Sequence, residues 1–254
     1  MGQLVAYTEM VEAPTPPDTS HLITEDDTPV DNLFSEKQQR LLTRSLYSSW
    51  PGPGEGRPFL VAANVAVYFS VRQPAIVPDI FLSLDVEMPA AWWETAGRSY
   101  LLWEMGKPPD VAIEIVSNAK GGEMGSKRQI YARARVAYYV VFDPDQRLGE
   151  QMLTVYQLQG NDYIEINENW LAQVQLGLTL WEGEFEGRRT VWLRWCGWTG
   201  NLILTGQERA EQEHARAEQE HARAEQEHVR AEQEHARAER LMAQLRAAGL
   251  EPEI

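Results

Sequence analysis

Pro108-Pro-Asp-Val-Ala-Ile-Glu-Ile-Val-Ser117 and Ala137-Tyr-Tyr-Val-Val-Phe-Asp-Pro144 decide the fold of this chain. Val111 to Val116 is short and almost wholly apolar, as a strand covered on both faces is. Lys120-Gly-Gly-Glu-Met-Gly-Ser126 reads as a loop, and a helix is expected over about 126–135. Ala137 to Phe142 is a second buried strand, ended by Asp143-Pro144. Two such strands joined through a helix imply parallel pairing by a crossover.

Around this unit the chain offers further strands. Phe59 to Val71, with a turn or bulge near Asn64, and Ile76 to Val86 precede it. Met88 to Lys107 is a long connection holding Trp92, Trp93 and Trp103. Val155 to Leu158, Tyr163 to Ile166 and Val191 to Leu193 read as later antiparallel strands. A helix is expected from Ser35, read as its cap, with Glu36 in the first turn. Leu41, Leu42, Leu46 and Trp50 form its apolar seam up to Pro51-Gly-Pro-Gly54. The expected class is α/β in the α+β sense: a mixed sheet flanked by helices.

Acids inside or beside these apolar runs are costly to bury unpaired. They are Asp79 in Val-Pro-Asp-Ile-Phe-Leu, and Asp110 and Glu114 in the opening stretch; Lys127 follows. Two acids and a lysine suffice to bind a divalent metal and cut a phosphodiester. On one strand, Asp110 and Glu114 are roughly 13 Å apart, too far to share a metal without a bent backbone. Asp79 comes from another strand that could lie beside Glu114, so Asp79 plus Glu114 is the better metal pair. Asp110 reads more readily as a turn cap after its two prolines. Lys127 is either a group that positions water or offsets phosphate charge, or a solvated surface lysine. Glu123 is a supporting candidate or an exposed loop acid. Glu36 either points toward the site or merely complements the helix dipole.

Composition excludes other chemistries. The chain has 254 residues and one cysteine, Cys196, expected to be a buried, inert thiol. Four of its five histidines (His214, His221, His228 and His235) lie in a C-terminal repeat, and the fifth, His21, in a polar N-terminal stretch. A zinc site, a Ser-His-Asp triad or a Cys-His pair lacks its parts in the core. A net charge of -15 argues against electrostatic coating of nucleic acid, though not against a small local basic patch. The nine tryptophans fit core packing better than base stacking. No run is long enough for a membrane helix, and the first residues lack the pattern of a signal peptide, so a cytoplasmic protein without a membrane partner is expected.

Two flanking segments differ from the core. Residues 1–30 are acidic and proline-rich, as a flexible leader is. From Ala210 the heptad Ala-Glu-Gln-Glu-His-Ala-Arg recurs, with a 3–4 seam running from Ala210 and His214 to Met242 and Leu245. This predicts a long helix over 207–248, as a left-handed coiled coil in a homodimer or with a partner helix. The seam of alanine and histidine is weak, and the Glu/Arg pairs also suit a single solvated helix. The histidine spacing could form a metal or pH ladder, but expansion of a helical heptad is the simpler reading.

Pro78-Asp79, the 108–117 stretch, Lys127 with Tyr131-Ala-Arg-Ala134, and Tyr138-Tyr-Val-Val-Phe-Asp-Pro144 together resemble the Uma2 (DUF820) family. The resemblance covers roughly residues 30–200 and implies a PD-(D/E)XK restriction-endonuclease-like domain over 31–200 and a Mg²⁺-dependent nuclease site, with Mn²⁺ as a substitute. Asp79 then matches the first acid and Glu114 the acid of the second strand. Val116 stands where the usual strand lysine would be, and Lys127 matches the family's helix lysine. Family members often carry Gly-Val-x-Glu-Tyr-Trp before Asp-Pro; here the stretch is Arg135-Val-Ala-Tyr-Tyr-Val-Val, without the glycine, glutamate or tryptophan. The expected activity is metal-dependent cleavage of DNA. The alternative is an inactive or weak nuclease fold that works as an oligomerising or partner-binding module through its tail.

Overall fold

The computed structural model describes residues 18–19, 22, 32–54, 56–88, 93, 95–117 and 123–248. Nearly all of the leader expected over 1–30, with His21, lies outside them, as does Trp92. The chain divides into two compact units, residues 1–203 and 204–254.

The first unit opens with helix α1 (Leu33–Ser49). Its cap is Asn32 rather than Ser35: the Asn32 carboxamide accepts the Ser35 N–H at 2.9 Å. Ser35 lies one turn inside, buried. Strands β1 (Phe59–Ala63), β2 (Val67–Tyr68), β3 (Ile80–Leu84) and β4 (Tyr100–Leu101) follow, then a short helix α2 (Leu102–Met105). β5 (Val111–Ile115), helix α3 (Arg128–Arg133) and β6 (Tyr138–Phe142) form the expected crossover unit. A π-type turn, Glu123–Lys127, leads into α3. The unit ends with β7 (Leu153–Gln159), β8 (Asp162–Ile166), β9 (Trp170–Leu171), β10 (Leu176–Phe185) and β11 (Arg188–Cys196).

Six strands form the main sheet in the order β1-β3-β5-β6-β7-β8. β5 and β6 are parallel, and the other neighbours antiparallel. β9 to β11 form a separate three-stranded antiparallel sheet, and β2 and β4 a short parallel pair. Alternation along the central strands splits the core in two. Ile80, Leu82, Ile113 and Ile115 pack with Leu42 and Leu46 of α1 and with Leu178, Leu193 and Trp195 of the small sheet. Phe81 and Ala112 face the other way, toward Tyr131 and Ala132 of α3 and toward Tyr139, Tyr156 and Tyr163. Each fully buried leucine or isoleucine contributes about 1.5–3 kcal/mol.

Two local features turn on glycine, present in one and replaced in the other. β10 contains Gly177 and Gly183, which weaken a strand signal in sequence. Both glycines are forced by space: a Cβ at Gly177 would lie 2.8 Å from the Cys196 sulfur, and one at Gly183 only 2.0 Å from the Trp181 ring. Cys196 itself is buried, and burial pushes its thiol pKa up. Arg135, at the place of the family's glycine, adopts φ 67, a left-handed conformation costing a non-glycine residue about 1–2 kcal/mol. Its guanidinium donates to the Gly160 carbonyl.

The second unit holds helix α4 (Gly206–Ala247), 42 residues long. A capping box starts it: the Thr205 hydroxyl accepts the Glu208 N–H at 3.2 Å and the Glu208 carboxylate accepts the Thr205 N–H at 2.7 Å. No residue of α4 is buried, and Arg216–Glu220, Arg223–Glu227 and Arg230–Glu234 pair one turn apart.

Candidate active site

The register of the central strands brings two acids together. β3 pairs with β5 as Phe81↔Ala112 and Ile80↔Ile113. One step further, Asp79 stands opposite Glu114. Both residues alternate with Phe81 and Ala112, so they belong to the α3 side of the sheet. The ladder ends at Ile80, and the Asp79 carboxylate takes over its role: one oxygen accepts the Ile115 N–H at 2.7 Å.

Glu114 is almost fully buried. Its Oε2 accepts from the Lys127 ammonium at 2.8 Å, and its Oε1 from the Tyr131 hydroxyl at 2.7 Å. Lys127 and Tyr131 are four residues apart across the turn into α3, so one face presents both donors. Burial, set against the attraction of Lys127 and reinforced by the Asp79 charge, pushes the Glu114 pKa up to about 7. Burial and the Glu114 charge hold the Tyr131 phenol protonated, well above its ordinary range.

Asp79 closes a second polar chain. Its Oδ1 accepts from the Gln39 carboxamide at 3.0 Å. Gln39 in turn exchanges two hydrogen bonds with Asn64, at 2.8 and 3.2 Å. Asn64 sits at φ 54 after β1, and its N–H donates to the Asp79 carbonyl. This is the turn expected near Asn64, here turned inward as a support.

Of the six residues singled out in sequence, three meet here: Asp79, Glu114 and Lys127. Asp110 lies at the other end of β5, where its carboxylate accepts from Lys107 at 2.6 Å and from the Leu84 N–H at 2.8 Å. Glu36 pairs with Arg40 at 2.8 Å. The Glu123 side chain lies outside the described residues. Gln39, Asn64 and Tyr131 were not anticipated. Tyr131 was readable as the residue one turn beyond Lys127, and Gln39 as a polar residue within an apolar helix seam.

No group of three or more His, Cys, Asp or Glu side chains gathers around a metal position among the described residues. The donor set that does converge is two carboxylates, the oxygen chemistry that suits Mg²⁺ or Mn²⁺. A carboxylate oxygen carries two lone pairs, so one protein donor on it does not by itself fill it. In kind, the residues fit a hard divalent cation.

No described helix is long and apolar enough to cross a membrane. No curated protein matches the chain. The model of the Uma2 family, described as "Putative restriction endonuclease", matches residues 25–185. That description implies nuclease activity on DNA, and restriction-endonuclease-like proteins generally depend on a metal. The mixed sheet with its parallel β5–β6 crossover agrees with that fold. With well over half of its length matched, the chain belongs to the Uma2 family.

Proposed function

We propose that this protein is a metal-dependent endonuclease that hydrolyses DNA phosphodiester bonds at Asp79, Glu114 and Lys127. The observation that carries this reading is the opposed carboxylate pair with a lysine held on one member, in a chain of a nuclease family. Asp79 and Glu114 would hold Mg²⁺, or Mn²⁺ in its place. The bound ion would polarise the phosphate and lower the pKa of a water molecule. Lys127 offsets charge at the phosphate or orients the attacking water. Tyr131 fixes the Glu114 carboxylate through its hydroxyl, and Gln39 with Asn64 fixes Asp79. In this reading the nuclease domain spans 31–200, behind a leader over 1–30, in a cytoplasmic protein.

Cleavage of single- and double-stranded DNA with Mg²⁺ or Mn²⁺, wild type beside Glu114→Ala, tests it. Cutting by wild type alone supports the assignment; equal cutting by both proteins removes Glu114 from the chemistry.

One observation favours a second reading, a nuclease fold whose work is done by the tail. Both Glu114 oxygens already have protein donors, so the pair is also stable without a metal. For the heptads over 207–248 we infer a coiled coil with a partner helix in preference to a second copy. Each His-Ala step of the seam is flanked by acids, as Glu218 and Glu220 flank Ala217 and His221. Two copies, in either direction, would set acid against acid. Metal titration separates the readings, since absence of saturable Mg²⁺ or Mn²⁺ binding favours the second.

A further inference from the structure

A groove of about 750 Å³ opens at the carboxyl ends of the parallel strands β5 and β6. Crevices at that end of parallel strands are where open sheets bind ligands. Val116 and Ser117, directly after β5, form one wall, and the first turn of α1 another. The turn after β6 brings Arg147, and the β10–β11 hairpin brings Arg188. Lys37 of α1 completes a set of three cations against two acids, Asp145 and Glu186. The acids act as props: Asp145 holds Arg147 at 2.7 Å, and Glu186 ties Lys37 at 2.9 Å. Arg188 is exposed and has no ion pair among the described residues.

This excess of cations runs against the chain's overall charge. Residues 1–31 carry seven acids and no lysine or arginine, and α4 adds ten acids against seven arginines. The first unit's described surface is therefore far less acidic than the net charge of -15 suggests. One wall of the groove is stiffened from beneath by an aromatic pair whose Trp192 is fully buried. Phe34 lies flat on Trp192, with ring centroids 5.2 Å apart and planes 9° apart. The indole N–H of Trp192, though buried, has no hydrogen-bond partner.

The groove opens at the same end of β5 as the acid pair. Val116 is two residues beyond Glu114 on an extended chain, roughly 7 Å. Gln39, which touches Asp79, lies on the same helix as Lys37 but on a different face of it. We propose that this groove carries the phosphate backbone of the DNA strand leading to the Asp79–Glu114 pair, with Arg188 and Arg147 on successive phosphates. The choice of DNA rests on the nuclease reading. The β11 side of the groove, with Arg188 and Trp192, lies beyond the residues matched to the family.

The test uses the full chain in EDTA, so that binding is read without cutting. Anisotropy of fluorescein-labelled DNA of about 20 nucleotides, single-stranded and duplex, is followed between about 50 and 200 mM salt. The proteins are wild type, Arg147→Ala/Arg188→Ala, and Arg72→Ala, which removes an exposed charge outside the groove. Circular dichroism melts show that each is folded. The proposal expects the double variant to bind about tenfold more weakly at low salt. It also expects the slope of log affinity against log salt to fall by about 1 for each lost phosphate contact. Arg72→Ala should match wild type. Equal binding by the double variant, an equal loss in Arg72→Ala, or no DNA binding by wild type overturns it. Cleavage with Mg²⁺ keeps the two ideas apart. Wild type and double variant that bind and cut alike leave the nuclease and remove the groove. Groove-dependent binding without any cutting leaves the groove and removes the nuclease.

Discussion

The two ends of β5 carry the same chemistry and do different things with it. At one end Asp110 meets Lys107 at 2.6 Å, and at the other Glu114 meets Lys127 at 2.8 Å. Lys107 lies three residues before its acid, and the Leu84 N–H supplies the second donor. That carboxylate is a local brace between β3 and β5. Lys127 comes from across the crossover, and Glu114 also faces a second acid, Asp79. Both acids have two protein donors, but only Glu114 has a second carboxylate opposite it, which adds negative charge. That added negative charge is what a divalent cation would offset.

Cleavage is the sharpest way to break this comparison. Glu114→Ala is expected to lower DNA cleavage at least ~100-fold. Asp110→Ala should leave the rate per folded molecule at the wild-type level. Equal losses in both variants, measured with matched folded fractions, would mean that β5 matters only as a strand.

Stability should separate the two lysines next. Lys127→Met leaves a buried carboxylate without its counter-charge, and near pH 8 this should cost about 3 kcal/mol in urea unfolding. Lys107→Met touches a half-exposed pair and should cost no more than about 1 kcal/mol. The wild-type protein carries a related signature. The pKa of Glu114 rises from 4.5 to about 7 on folding, so the native state binds its proton more tightly than the unfolded state. Its contribution is fully present below pH ~4.5 and is lost as pH rises through about 7, a change of about 3 kcal/mol. Glu114→Gln should flatten the pH dependence of unfolding across that window. A variant that keeps the wild-type slope would show that Glu114 is already charged near pH 5.

Much of this site was legible in the sequence, for one physical reason. A carboxylate inside Val111-Ala-Ile-Glu-Ile is too expensive to be accidental, and strand spacing alone separates Glu114 from Asp110. What the sequence hid was the support. Gln39 and Asn64 are ordinary polar residues until α1 and the turn after β1 meet at Asp79, and that meeting depends on tertiary packing. Tyr131 stands in the motif with Lys127, but its hydroxyl partner Glu114 is 17 residues away and on another element. The helix start was misplaced because both Asn32 and Ser35 are good caps, and the choice between them depends on which residue the core buries. β10 was missed because its glycines answer to the Cys196 sulfur and the Trp181 ring, neither of which is visible as a neighbour in one dimension.

The tail supplies the smallest effect and the other limit of the comparison. Arg223 and Glu227 on α4 are an acid and a base 3.4 Å apart, but their side chains are 81% and 72% exposed. Water already solvates both charges, so the pair replaces little and gains little. Arg223→Ala is expected to cost a few tenths of a kcal/mol, in line with exposed pairs one turn apart. Raising the salt concentration should shrink even that difference. Helicity by circular dichroism of the full chain at low and high salt would read both. A loss above about 1 kcal/mol would mean that Arg223 works against something other than solvent. The natural candidate is a second helix packed over Arg223, since an exposed arginine gains strength only when a partner excludes the water around it. Sedimentation of the same variant beside wild type would then show whether that helix belongs to another copy of the chain.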